Sequence, residues 1–184
     1  MDNFSFEKPL PDILAPGLKV VFIGYNPGLL SAKNRHHYSH KSNRFWRFLF
    51  EAGLTPVRFQ PEDDRKILEL GYGSTNIVDR QTKAANDIGA DEVIEGSANL
   101  YRLLDTLKPR VACYVGIGVY RAFASCILKM SASRINVTPG LQLDSLQEAT
   151  LDFVCYSTSG LNTVPFAEQC KCFADLKKLL DSIG

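Results

Sequence analysis

The sequence predicts an α/β fold, with one three-layer α/β/α domain over residues 1–184 and a central, mainly parallel sheet. Short apolar runs suited to buried strands alternate along the chain with longer segments of helical periodicity. Such alternation favours parallel strands joined by covering helices. With 184 residues and 45% hydrophobic content, the chain can bury one substantial core. No repeat, low-complexity tract or linker divides it.

The first half of the chain shows two strand signals and two helical signals. The clearest strand is the apolar run Lys19–Gly24. A helix is predicted over Asn43–Gly53, which is rich in Phe and Trp and ends at a glycine. The charged segment Glu62–Leu70 has helical character. After a glycine-rich break at 71–74, a short strand is predicted over Thr75–Val78.

The second half continues the alternation. Four leucines between residues 100 and 107 recur at helical spacing, and Val111–Gly116 suits a strand buried on both faces. A helix over Val119–Leu128 would cover that strand, and Asp152–Tyr156 is predicted as the last core strand. The less regular segment 131–149 is expected to hold an extra edge strand or a hairpin. A C-terminal helix carries a core-facing stripe of Phe166, Cys170, Phe173, Leu176, Leu180 and Ile183.

Composition predicts an intracellular protein, and nothing in the sequence implies a metal or an organic cofactor. No apolar run is long enough to span a bilayer, and Met1–Pro11 resembles neither a secretory signal nor a transit peptide. Five cysteines, an odd number scattered through apolar segments, favour reduced core thiols over disulfides or a zinc site. We expect a monomer, nuclear if the source is eukaryotic and cytoplasmic if it is bacterial.

The net charge of +1 conceals a basic segment. Between Gly24 and Phe50 there is no acidic residue, while all three histidines and five Lys or Arg residues lie there. A local cationic face attracts polyanions and makes their binding salt-dependent. The simpler interpretation is an ordinary solvated face. The five cations are Lys33, Arg35, Lys41, Arg44 and Arg47.

A candidate functional residue follows directly after the first predicted strand. There the apolar run ends in the turn Tyr25-Asn26-Pro27-Gly28, whose middle presents one amide side chain. In open parallel sheets, ligands bind beyond the carboxyl ends of the strands. Pro27 and Gly28 restrain the turn and leave room for close approach. The alternative is that Asn26 only hydrogen-bonds within its own turn, as Asn often does.

Two loops are predicted at corresponding strand ends. Tyr25–Ser42 follows the first strand, and Ser157–Thr163 follows the last. If both strands are central, these loops face each other across one crevice. The second loop offers hydroxyls and backbone N–H groups, and it contains one apolar side chain, Leu161. Leu161 either protrudes or packs onto the C-terminal helix.

Several segments resemble the mismatch-specific uracil and thymine DNA glycosylases of the uracil-DNA glycosylase superfamily. Residues 12–22 and the turn Gly24-Tyr25-Asn26-Pro27-Gly28 are similar to bacterial members. Residues 43–46 (Asn-Arg-Phe-Trp) and 78–82 (Val-Asp-Arg-Gln-Thr) also look like family segments. Residues 36–38 (His-His-Tyr) resemble the eukaryotic thymine glycosylases more closely. The resemblance covers most of the chain and includes two motifs in the family's order.

The resemblance implies a monofunctional enzyme of base excision repair that removes a base mispaired with guanine from duplex DNA and leaves an abasic site. Such enzymes flip the nucleotide into a pocket, which costs less at a mismatch. Asn26 would orient the attacking water, since uracil can leave as a stabilised anion and no strong base is needed. Tyr38 would stack on the pyrimidine. Leu161 would act as a wedge that fills the gap in the base stack.

The same resemblance assigns further residues to the site. Backbone groups of Gly160 and Asn162 would contact the orphaned guanine, and Ser31 would lie near the C5 edge of the pyrimidine. The implied partners are duplex DNA with G mismatches and downstream enzymes that process abasic sites. The predicted base pocket consists of Gly24, Tyr25, Gly28, Ser31 and Tyr38. The predicted phosphate contacts are Lys33, Arg35, Lys41, Ser157 and Ser159.

The second loop departs from the family pattern. Bacterial members have Asn-Pro-Ser-Gly-Leu-Ser-Arg, whereas residues 157–163 are Ser-Thr-Ser-Gly-Leu-Asn-Thr. Thr163 therefore stands where the family pattern has a DNA-contacting arginine. Its absence affects how tightly the protein is expected to bind the DNA strand and to retain the product. Two alternatives stay open: a module that binds G mismatches without turnover, and, less favoured by the basic segment, an enzyme acting on free nucleosides or nucleotides. The preferred base also stays open among uracil, thymine, ethenocytosine and hypoxanthine.

Overall fold

A central five-stranded sheet organises the molecule. The computed structural model describes residues 9–184. The strands are β1 (Val20–Gly24), β2 (Tyr72–Asn76), β3 (Val111–Val115), β4 (Gly140–Leu141) and β5 (Leu151–Cys155). Their order is β2-β1-β3-β5-β4, with β4 antiparallel to β5 at the edge and every other pair parallel. The predicted α/β class with a mainly parallel sheet is confirmed.

Helices cover both faces of the sheet. Beside them, three 3₁₀ segments span Pro61–Leu70, Ala85–Asp87 and Ala132–Arg134. The α-helices are α1 (Leu29–Asn34), α2 (Phe45–Glu51), α3 (Ala90–Leu107), α4 (Ile117–Leu128) and α5 (Phe166–Ile183).

The core lies in two layers that the strands separate. Along β1, Val20 and Phe22 pack into the cluster that includes α2 and α5, whereas Val21 and Ile23 pack into the cluster that includes α3 and α4. Successive strand residues point to opposite faces, so a strand covered on both sides must be apolar throughout. Every residue of β1 is buried. This explains why the run was so clear in the sequence.

The second strand begins earlier than predicted. Residues 71–74, expected to be a break, mostly belong to β2. A Cβ at Gly73 would lie 2.6 Å from the Ile13 carbonyl oxygen and 2.7 Å from a Leu18 methyl carbon. Ser74 and Ile13 exchange two backbone hydrogen bonds, of 2.8 and 2.9 Å. Gly73 therefore marks a close approach of another segment rather than a turn.

Other boundaries also differ from the predictions. Helix α1 forms inside the segment predicted as the first loop. Pro61–Leu70 is a 3₁₀ helix rather than an α-helix, and α4 begins two residues before its predicted start, at Ile117. The segment 131–149 contains the short edge strand β4. Of its two predicted alternatives, an edge strand or a hairpin, the edge strand is confirmed.

Residues 1–8 lie outside the described part of the chain, and with them most of the amino-terminal segment on which the localisation prediction rests. Among residues 9–184, no helix is long and apolar enough to cross a membrane. In the same range, no group of three or more His, Cys, Asp or Glu side chains is arranged to hold a metal ion. All five cysteines are free thiols.

Candidate active site

An open pocket of about 920 Å³ lies at the carboxyl ends of four strands. Gly24, Asn76, Val115 and Tyr156 line it where β1, β2, β3 and β5 end. Residues of both predicted loops form its walls, and residues 82–86 and the start of α4 complete them. The structure therefore brings the two loops together across one crevice.

The side chain of Asn26 is held by a distant segment. Its Nδ2 contacts Thr82 Oγ1 at 2.8 Å, the Arg80 carbonyl oxygen at 3.0 Å and the Pro27 carbonyl oxygen at 3.2 Å. Carbonyl oxygens only accept hydrogen bonds, so these contacts fix which end of the amide is the NH₂ group. No hydrogen bond reaches Oδ1 from any residue in the described range. Asn26 thus bonds partly within its turn, and its acceptor oxygen has no partner among the described residues.

Thr82 anchors this amide in turn. It is buried, its hydroxyl donates to the Ala84 carbonyl oxygen at 2.7 Å, and its backbone N–H donates to the Pro27 carbonyl oxygen at 3.1 Å. The hydroxyl proton is therefore committed, which leaves the Thr82 oxygen to accept from Asn26.

Gly24 and Asn76 lie side by side at the pocket floor. They are register partners in β1 and β2, and a Cβ at Gly24 would lie 2.4 Å from Asn76 Oδ1. Glycine is needed here for space and not for a special backbone angle. The Asn76 side chain lines the pocket and has no hydrogen-bond partner among the described residues. Sequence analysis missed Asn76, because the strand predicted over Thr75–Val78 placed it inside a strand instead of at a strand end.

The turn also offers backbone donors to the pocket. The N–H groups of Tyr25, Asn26 and Gly28 find no acceptor within residues 9–184, while the Gly24 and Tyr25 carbonyls accept from Ile77 and Val78. The Tyr25 ring packs against the core cluster beside α3 and α4. A Cβ added at Gly28 would meet no atom within 4 Å, so this side of the turn is open.

The ring of Tyr38 lies in the pocket wall against Phe45. Their ring centroids are 3.7 Å apart and the planes are nearly parallel, at 16°. One face of Tyr38 is therefore occupied by protein. The hydroxyl is buried without a well-formed hydrogen bond, and burial raises the pKa of Tyr38 far above its ordinary value despite the nearby Ser74 side chain.

The backbone around Tyr38 is restrained by buried polar groups. Tyr38 has a φ of 54°, in the left-handed region that costs energy for a non-glycine residue. The buried Asp64 carboxylate accepts from the His37 N–H at 2.9 Å and contacts His36 Nδ1 at 3.2 Å. Ser31 Oγ accepts from the Ser39 N–H at 3.1 Å. Ser31, predicted near the base, thus ties the Tyr38 segment to α1, and its proposed place at the C5 edge stays a prediction.

His37 belongs to the same support. Its Nε2 faces the Pro11 carbonyl oxygen at 3.1 Å and so carries the proton, which leaves Nδ1 to accept from the Ser74 hydroxyl at 3.0 Å. Burial lowers the pKa of His37. The ring is therefore neutral at neutral pH, and its role in this arrangement is to hold the Tyr38 segment.

The second loop, residues 157–163, is called the wedge loop below. Asn162 closes it, since Nδ2 donates to the Ser157 carbonyl oxygen at 2.7 Å and Oδ1 accepts from the Val164 N–H at 3.0 Å. The Ser157 and Ser159 hydroxyl oxygens each accept a loop N–H at 3.3 Å. Leu161 is 90% exposed at the pocket rim. The alternative that it packs onto the C-terminal helix is wrong.

Charged groups are scarce in the pocket wall. Among the described residues, no Asp or Glu lines it, and Lys83 is its only Lys or Arg. The predicted phosphate contacts Ser157 and Ser159 belong to the wall. The other three lie outside it: Lys33, Arg35 and Lys41, of which Arg35 donates to the Pro9 carbonyl oxygen at 2.7 Å.

Comparisons with known proteins agree with this architecture. The sequence model of the Uracil DNA glycosylase superfamily matches residues 11–181. The fold is similar to the solution NMR structure of a candidate uracil DNA glycosylase from Methanosarcina acetivorans, with a TM-score of 0.62 and 17% sequence identity. The match covers 95% of this chain and 98% of that chain. At this identity the structural likeness concerns the fold, whereas the family match extends across both loops.

Proposed function

The chain belongs to the uracil DNA glycosylase superfamily, and on that basis we propose that it is a monofunctional DNA glycosylase acting on mismatched duplex DNA. It hydrolyses the N-glycosidic bond of a flipped-out uracil, or thymine, opposite guanine and leaves an abasic site. The observation that carries the proposal is the anchored amide of Asn26, whose NH₂ group is engaged and whose Oδ1 has no partner among the described residues.

In this mechanism Asn26 positions the nucleophile. Its Oδ1 accepts a hydrogen bond from a water molecule and holds that water against the anomeric carbon of the flipped nucleotide. The C–N bond breaks with its electron pair leaving on the base, the water oxygen bonds to the sugar carbon, and the released proton neutralises the base or passes to solvent. An amide is a poor base and the described pocket wall has no carboxylate. Positioning and leaving-group stabilisation therefore supply the rate enhancement.

Donors at the pocket floor stabilise the departing base. The N–H groups of Tyr25, Asn26 and Gly28 and the amide of Asn76 lack partners among the described residues. Pyrimidine carbonyl oxygens carry the charge that develops as the bond breaks, so fixed donors directed at them favour the transition state. Asn76 offers both a donor and an acceptor, which matches the pattern of a pyrimidine O4 and N3–H edge.

The Tyr38 ring completes the base site. Phe45 supports one face of the ring, and in this proposal the flipped pyrimidine stacks on the side that faces the pocket. Base–aromatic stacking contributes about 1–3 kcal/mol in single-strand binders.

Leu161 fits the role of a wedge in the duplex. An apolar side chain that is 90% exposed beside a pocket can fill the space vacated by a flipped nucleotide. The Asn162 N–H is already bonded to Ser159. The carbonyls of Gly160 and Asn162 each keep one lone pair beside their long contacts with Arg44, so these oxygens can accept from the opposite base. Guanine presents N1–H and N2–H donors to such carbonyls, whereas adenine presents an acceptor at N1. This difference favours guanine as the opposite base.

The two alternatives explain less of the structure. A nucleoside or nucleotide hydrolase would have no use for a protruding leucine at the pocket mouth. A mismatch-binding module without turnover would not need an amide held by three contacts with its oxygen directed away from them. The missing arginine at Thr163 is the one feature that favours binding without efficient turnover.

The test uses protein in excess over end-labelled duplexes containing G·U, G·T, A·U or G·C pairs, followed by alkali to cleave abasic sites. Strand breaks at G·U that disappear in Asn26→Ala support the proposal, and the G·T and A·U lanes define specificity. Preferential binding of G·U without any break would instead identify a mismatch-binding module. The absence of both preferential binding and strand breaks would contradict the proposed function.

A further inference from the structure

The wedge loop contains no charged residue, and two residues of a distant segment, Ser42 and Arg44, lie against it. Its internal hydrogen bonds determine its shape but not its position relative to the pocket. Ser42 and Arg44, at the end of the first loop and the start of α2, connect it to the opposite wall of the pocket.

Arg44 contacts three carbonyl oxygens of the wedge loop. Its backbone N–H donates to Thr158 at 2.9 Å, and its guanidinium nitrogens reach Asn162 at 3.4 Å and Gly160 at 3.5 Å. The two guanidinium contacts are long and individually weak. A planar, forked donor can nevertheless span two neighbouring carbonyls at once, which a single ammonium group cannot do as well.

The backbone from which Arg44 makes these contacts is held by the start of α2. Arg44 is the residue before α2, its carbonyl oxygen accepts from the Phe48 N–H at 2.8 Å, and the next residue, Phe45, is fully buried. Asn43 Oδ1 accepts from the Phe45 N–H at 2.9 Å, so a free N–H of the first helical residue is satisfied. Arg44 therefore connects the wedge loop to the hydrophobic core, in which the adjacent residue Phe45 supports Tyr38.

Gly160 shows how closely the two segments approach. A Cβ at Gly160 would lie 2.5 Å from both Cβ and Oγ of Ser42 and 2.9 Å from the Ser42 carbonyl oxygen. Its φ is not in the left-handed region, so glycine is required by contact with Ser42 and not by the turn itself.

We propose that Arg44 is a positioning residue of the wedge. By holding the carbonyls of residues 158, 160 and 162, it sets the height and direction at which Leu161 enters the base stack. It also places beside the wedge the positive charge that the loop lacks at Thr163. This inference rests on the proposed glycosylase function, and it concerns opening of the duplex, not bond cleavage.

The test measures single-turnover excision of uracil from G·U duplex and from single-stranded DNA. Arg44→Gln keeps the backbone bond to Thr158 and loses the two guanidinium contacts, so the duplex rate is expected to fall about five- to tenfold, the effect of one ordinary hydrogen bond. Single-strand excision stays within a factor of two or so, because little unstacking is needed there. Arg44→Lys recovers only part of the loss. Arg102→Gln, which removes a cation from the exposed face of α3, changes neither rate.

A second pair of variants keeps Arg44 in place. Gly160→Ala pushes the wedge loop away from Ser42 and is expected to cause the same duplex-selective loss. Adding Ser42→Gly removes the Cβ and Oγ that clash, although not the carbonyl oxygen, and recovers part of the rate.

The outcomes separate this inference from the function on which it rests. Wild-type protein that cuts neither substrate overturns the proposed function and the inference with it. Active wild type with equal losses on both substrates in Arg44→Gln, or with no loss, overturns the inference alone. A loss that vanishes at saturating protein and is matched by weaker binding of undamaged duplex makes Arg44 a phosphate contact, which also overturns it.

Discussion

The Asn26 turn, residues 25–28, and the wedge loop lie across one pocket but are stabilised in different ways. Asn26 is held by partners 54 and 56 residues away in the sequence, and Gly24 packs directly on Asn76. In the wedge loop, Asn162 bonds a carbonyl only five residues away, and Leu161 is almost fully exposed. The turn takes its geometry from the end of β2 and the segment that follows it, whereas the loop is shaped by bonds within it and is contacted by Arg44.

This difference suggests that the two regions perform separable tasks. A turn anchored by a distant segment of the chain can hold a water-binding oxygen within the small tolerance that catalysis needs. A locally built loop with one exposed leucine can adapt to the deformation of the duplex. Damage to the turn should therefore affect every substrate, and damage to the loop should affect only duplex DNA.

The largest effect is expected for Asn26→Ala. Removing the oxygen that positions the water should lower single-turnover excision about 10²- to 10³-fold, the loss typical of one preorganised polar group. The loss should be the same for G·U duplex and single-stranded uracil DNA, because water positioning is needed for both. Asn99→Ala, on the exposed face of α3, is the matched control. A strong bias toward one substrate would remove the distinction between the two regions.

Leu161→Ala should produce the complementary pattern. Without the side chain that fills the stack, duplex excision is expected to fall about 10- to 100-fold, the rate equivalent of the few kcal/mol that unstacking a base costs. Single-strand excision should hardly change. Leu143 is fully exposed elsewhere, at 102%, so Leu143→Ala controls for loss of a surface leucine. Equal losses on both substrates would show that Leu161 does not act as a wedge.

Thr82→Val tests the anchoring of Asn26 without touching Asn26 itself. The substitution removes the oxygen that accepts from the amide at 2.8 Å and the donor to Ala84, while it preserves side-chain shape. Excision should fall about tenfold on both substrates, the rate equivalent of a weakened hydrogen bond. Thr106→Val, which loses an exposed α3 hydroxyl, should leave both rates unchanged. If Thr82→Val retains full activity, the turn alone suffices to orient Asn26.

The extent to which the sequence predicted these regions follows the same division. The Asn26 turn was predictable because an apolar strand and a Pro-Gly turn are local signals. Asn76 was missed because β2 begins where Gly73 meets Ile13, a contact between distant segments. Arg44 was only one of five neighbouring cations in the sequence, since the two wedge-loop partners of its side chain lie 116 and 118 residues further on. Local pattern indicated Asn26 as a candidate residue, and only tertiary contacts showed which residues support it.

The smallest expected effect concerns the residue at the end of the wedge loop. Thr163→Arg adds a cation to a loop that has none, so G·U duplex should bind a few-fold more tightly at low salt. One new phosphate contact should steepen the dependence of log affinity on log salt by about 0.9. Single-turnover excision at saturating protein should stay unchanged, because the added charge lies outside the anchored turn. Thr138→Arg, on the segment before β4, provides a charge-matched control. A change in the excision rate itself would mean that the wedge loop influences bond cleavage, and the separation between the two regions would not hold.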